Sequence, residues 1–104
     1  MAFTLFFADQ VGDIQFYRYK YGENEFEEGM AGGMIRIEDG LMSVVPQIIL
    51  QDMQFSPEND YVAMVAADAI KTGILKQVPP RLRTKNGEIE LKDDDSKESI
   101  LARI

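Results

Sequence analysis

Residues 34–45 read MIRIEDGLMSVV, and this stretch decides the fold. Asp39-Gly40 is a strong signal for a two-residue hairpin turn, because the favoured turn needs left-handed backbone that Gly and Asp tolerate. Closing the chain there sets Ile37 opposite Met42, Arg36 opposite Ser43 and Ile35 opposite Val44. One face of the hairpin is then wholly apolar and the other mixed, so turn chemistry and side-chain pattern agree on the register.

Upstream, Ala2–Ala8 (AFTLFFA) is a short aromatic run bounded by the polar DQVGD. A run without alternation predicts a strand buried on both faces, placed centrally in a sheet. Ile14–Tyr21 (IQFYRYKY) alternates, with Ile14, Phe16, Arg18 and Lys20 on one face and Gln15, Tyr17, Tyr19 and Tyr21 on the other, as a returning strand would. The following GENEFEEGMAGG has no apolar periodicity and reads as a long acidic, then glycine-rich, loop. Gly29, Gly32 and Gly33 there run into a strand without the Lys-Ser/Thr ending of a phosphate loop, so a flexible crossover or a close backbone contact explains them better.

Downstream, Gln47–Phe55 (QIILQDMQF) leans towards strand on its Ile-Ile-Leu run. Ser56-Pro57-Glu58 has the order of an N-cap, a first-turn proline and an acid, and predicts a helix over 57–72. Tyr61, Val62, Val65, Ala66, Ala69 and Ile70 share its apolar face, and Gly73 suits the C′ position. In RLRTKNGEIELK, Asn86-Gly87 predicts a second hairpin, with Lys85 opposite Glu88 and Arg83 opposite Glu90. Asp95 and Glu98 have capping-box spacing ahead of a short helical tail, ESILARI. The expected fold is α+β: one domain over 1–104, with an antiparallel sheet of five or six hairpin-built strands packed on the 57–72 helix, plus a short C-terminal helix.

Composition narrows function. The 104 residues include no Cys and no His, so there is no thiolate nucleophile, no disulfide, no Cys-based metal site and no imidazole proton shuttle. Any catalysis falls to carboxylates, hydroxyls and amines, and no motif assembles them; a non-enzymatic role with no cofactor is expected. No window is apolar enough for a membrane span and the N-terminus lacks the basic region of a secretory signal, which makes the cytoplasm the default location.

The net charge of −7 opposes nucleic-acid phosphates and favours a basic partner. Residues 1–70 hold twelve acids against three bases, whereas Lys71, Lys76, Arg81, Arg83 and Lys85 form a basic island without an acid. The hairpin register already supplies Arg83 and Lys85 with glutamates. Glu23, Glu25, Glu27 and Glu28 ring Phe26 as an aromatic anchor among carboxylates would be ringed at a recognition surface. Beside them Tyr17, Tyr19 and Tyr21 read either as a half-buried sheet face with hydroxyls at its rim or as an exposed protein-binding strip. These eight residues are the candidate partner-binding set.

Met64, on the polar side of its helix, and the apolar tail residues Ile100, Leu101 and Ile104 are candidates for self-association as a homodimer. The functional expectation is a protein-interaction domain, such as an inhibitor, immunity-type factor or assembly subunit, presenting an acidic surface to a basic protein. The alternative is a small-molecule binding domain with an aromatic-lined pocket between sheet and helix.

Overall fold

In the computed structural model, which describes residues 2–22, 32–46 and 58–104, the elements are β1 (Phe3–Val11), β2 (Ile14–Tyr21), β3 (Gly32–Glu38), β4 (Leu41–Pro46), α1 (Asn59–Thr72), β5 (Arg81–Thr84), β6 (Gly87–Glu90) and α2 (Lys97–Arg103). The strands form one six-stranded sheet in chain order, β1 to β6. The α+β class and the main helix agree with the sequence. The Gln47–Phe55 strand and the Ser56-Pro57 helix signal lie outside the described residues.

The β3–β4 hairpin closes where its turn chemistry places it. Ile35 pairs with Val44, Arg36 with Ser43 and Ile37 with Met42. Asp39 and Gly40 take φ of 53° and 74°, both left-handed as the tight turn requires. Pro80 and Arg81 pack over this turn, and the Arg81 amide donates to the Gly40 carbonyl at 3.1 Å.

Four sequence expectations are corrected. Among the described residues β1 is an edge strand that pairs only with β2, and most of its residues are exposed. The aromatic run AFTLFFA conceals an alternation: Phe3 and Leu5 turn inward and Thr4 and Phe6 outward, and the exposed Phe6 makes the run look buried on both sides. The sheet is mixed, because β4 and β5 are parallel. With α1 in the β4–β5 connection, the chain starts β5 from the same end of the sheet as β4.

In the second hairpin Arg83 meets Glu88, and Thr84 meets Gly87. The shift relative to an Asn86-Gly87 turn comes from Thr84, whose hydroxyl donates to the Gly87 carbonyl at 2.8 Å and accepts from the Asn86 amide at 3.2 Å. Asn59 Oδ1 also accepts the Lys85 amide at 2.9 Å, pinning the turn to the start of α1. Finally, the caps move. The N-cap of α1 is Glu58, with no side-chain cap bond, and α2 is capped by Ser96 with Ser99 in a reciprocal capping box. Asp95 is thereby released for another role.

One face of the sheet carries Leu5, Tyr17, Tyr19, Tyr21, Ile35, Met42, Val44 and Leu82, all buried beneath the helices. α1 meets it with Val62, Val65, Ala66 and Ala69, and ends at Gly73, whose φ of 71° is the left-handed C-cap expected there. Ala63 and Ala67, beyond the expected apolar face, are also buried. α2 packs against α1, and small side chains on α1 let the two helices approach.

Candidate interaction surface

The three tyrosines of β2 point into the core. Tyr17 and Tyr19 are each 2% exposed and Tyr21 is 7% exposed, so they are interior residues and present no strip to a partner. Phe3 stacks on Tyr19 with ring centroids 5.9 Å apart and Phe7 meets Tyr17 edge-on at 5.5 Å, which joins β1 and β2 on this face. Their hydroxyls are not left at a wet rim. Tyr19 shares a hydrogen bond with Tyr61, and the Tyr21 hydroxyl donates to Asp68 Oδ2 at 2.7 Å. Tyr61 and Asp68, two helical turns apart on α1, are the partners that sequence reading passed over; a polar pair at that spacing facing alternate strand tyrosines is the signal that was available.

Burial raises all these phenols. For Tyr19 desolvation is reinforced by Tyr61, and for Tyr21 by the Asp68 carboxylate, so both stay protonated far above the ordinary tyrosine range. A phenol held this way is a fixed hydrogen-bond donor and a poor base. Between sheet and α1, these packed rings fill the space with the chain's own side chains.

The self-association candidates are also drawn inward. Ile100 is fully buried, and Leu101, Ile104 and Met64 pack partly buried against the same core. The tail is apolar because α2 docks on α1. Asp95, freed from capping, accepts the Lys92 amide at 2.6 Å, the Ser99 hydroxyl at 2.7 Å and the Arg103 guanidinium, with one Arg103 contact at 2.7 Å. The Arg103 hydrogen bonds hold this buried carboxyl well below the usual carboxylate range, against the desolvation that opposes them.

On the opposite sheet face, the register gathers Phe6, Arg18, Met34 and Val45 in one row, with Phe16, Arg36 and Ser43 in the next. No element among the described residues covers this face. Beside the β3–β4 turn a depression of about 250 Å³ is framed by Arg36, Ser43, Arg81 and Arg83 together with Glu38 and Asp39. Its charges are partly matched: Arg36 pairs with Glu38 at 2.7 Å, and Arg81 pairs with Glu88 at 2.8 Å while also donating to the Asp39 carbonyl. Within the basic island, then, the paired residues are Arg81 and also Lys85, which reaches Glu58 at 3.4 Å.

Glu23, Glu25, Phe26, Glu27 and Glu28 lie outside the described residues. The segment that holds them joins β2 to β3. Comparison with known proteins finds no match to a family model, a curated protein or a solved structure.

Proposed function

We propose that this chain is a non-enzymatic protein-interaction domain that presents the β2–β3 connection to a basic protein partner. The supporting observation is where its charge lies. Residues 23–31 and 47–57 together hold five acids and no base, whereas the described residues hold thirteen acids against eleven bases. Most of the −7 therefore belongs to two connections, and four of the five acids sit within residues 23–28 around Phe26. The rest of the protein is close to charge balance. Concentrated charge of this kind steers encounter with an oppositely charged partner and makes association sensitive to salt.

The test replaces Glu23, Glu25, Glu27 and Glu28 together by Gln and compares proteins retained by each form from an extract of the native host. The expected result is a basic protein held by the wild type, released by moderate salt and missing from the variant. Retention of the same partners by both forms, unaffected by salt, would remove the acidic connection from the recognition surface.

A further inference from the structure

We propose that two copies of this chain join through the outer edge of β1, which no described strand pairs, with Phe3–Phe7 of one copy running antiparallel to Phe3–Phe7 of the other about a twofold axis at Leu5. This inference does not rest on the proposed function. The argument begins with the backbone. The Gly22 amide donates to the Ala2 carbonyl at 2.8 Å, and Ala2 and Gly22 continue the register in which Phe3 faces Tyr21 and Leu5 faces Tyr19. Bonded and non-bonded pairs alternate along an antiparallel ladder, so the N–H and C=O groups of Phe3, Leu5 and Phe7 point away from β2. They form a row of main-chain donors and acceptors on the outer edge of the sheet.

That row is symmetric about Leu5. An antiparallel copy centred there pairs Leu5 with its counterpart and Phe3 with Phe7 of the second copy, satisfying the outward groups of all three residues in both chains. Side chains match as well. Phe7, 52% exposed, gains the Phe3 ring of the other copy beside it and extends the aromatic row over Tyr17 and Tyr19. On the other face, the exposed Phe6 meets Thr4.

The choice of a second copy as occupant rests on charge and on edge protection. Residues 2–8 contain no charged side chain, so two acidic molecules meet at the one stretch of edge where neither brings a like charge. Exposed edges are commonly guarded by charges, proline, shortness or a bulge. At the opposite edge β6 is only four residues long, carries Glu88 and Glu90, and has its Glu90 carbonyl engaged by Arg103 Nη1 at 2.9 Å. β1 has such a guard only in its second half, where the register slips between Phe7 and Asp9. Among the described residues Phe3–Phe7 has none, and an isologous twofold pairing closes both edges at once.

Two measurements test this. Light scattering on the wild type at micromolar concentration should give twice the 11.8 kDa chain mass. F7P removes one outward N–H without touching a β1–β2 hydrogen bond, and should halve the mass while circular dichroism stays native. The second measurement survives a misfolded F7P. T4C/F6C introduces the only cysteines in the chain, in residues that face each other across the proposed axis, and mild oxidation should yield a covalent dimer on a non-reducing gel, whereas T4C or F6C alone should not. A wild type that stays monomeric throughout, or a dimer that persists in a folded F7P and leaves T4C/F6C uncrosslinked, would overturn the proposal.

Discussion

Tyr21 on β2 and Asp68 on α1, 47 residues apart in sequence, are joined by a 2.7 Å hydrogen bond from the phenol to the carboxylate. The bond fixes the helix over the sheet at its otherwise polar margin. Tyr21→Phe keeps the ring packed on Phe3 and removes only the donor, leaving a half-buried carboxylate short of a partner. The expected loss is about 2 kcal/mol, in the range for a hydrogen bond to a charged group. Urea denaturation should show a lower midpoint with an unchanged slope.

All four tyrosines of the chain, at positions 17, 19, 21 and 61, are shifted upward, chiefly by burial. A group whose folded pKa lies above its unfolded value stabilises the fold fully below the unfolded value and loses that contribution as pH rises beyond it. With 10.0 as the ordinary phenol value, the expected outcome is alkaline unfolding above that pH. Tyrosinate absorbance should then appear cooperatively, together with the loss of circular dichroism. Smooth titration of four phenols near 10 in a folded protein would contradict the burial of this row.

The two hairpins show what was legible in sequence and what was not. Asp39-Gly40 closes its turn where expected because both residues adopt left-handed backbone and the flanking pattern has one apolar solution. Asn86-Gly87 carries an equally strong local signal, yet the register moves because Thr84 and Asn59 bind the turn's backbone, and Asn59 arrives from 26 residues away. Likewise the tyrosine face was visible as a face, but its burial depended on Tyr61 and Asp68. Helix docking hid the role of Ile100 in the same way: a short apolar tail has the same composition whether it covers its own core or a neighbour's.

Asp95 and Arg103 form the best-buried ion pair among the described residues, with Asp95's side chain 2% exposed and Arg103's 26%. A carboxyl whose folded pKa is depressed stabilises the protein above its unfolded value, 3.8 for this group, and that support drains away as pH falls through and below it. Arg103→Ala should cost about 2 kcal/mol at neutral pH, less than the roughly 3–5 kcal/mol of a fully buried pair because Arg103 is partly solvated and Ser99 and the Lys92 amide remain. The variant should also lose less stability than the wild type as pH falls through and below 3.8, because the Arg103 hydrogen bonds are the chief cause of the depressed carboxyl. Thermal melts at neutral pH and across the acid range measure both effects.

Gly33 lies on the helix-covered face, where an added Cβ would meet the Tyr19 hydroxyl at 2.7 Å and the Val45 carbonyl closer still. Tyr19 is locked against Tyr61, and the carbonyl belongs to the neighbouring strand, so neither yields without disturbing the core. Gly33→Ala is therefore expected to destabilise by about 2 kcal/mol through overpacking, although alanine normally favours a strand over glycine. Near-ultraviolet circular dichroism should change with it, since the Tyr19 ring must move.

Ile100 separates core function from surface function in the C-terminal helix. It is fully buried in the core shared by sheet, α1 and α2, so Ile100→Ala should leave a cavity and cost about 3 kcal/mol. If the helix instead met a second molecule, the same substitution would lower the association constant and spare the stability of the monomer. Measuring unfolding at two widely spaced protein concentrations distinguishes these. The docked helix requires the same stability difference between Ile100→Ala and wild type at both concentrations, because any dimer formed through β1 contributes equally to the two proteins.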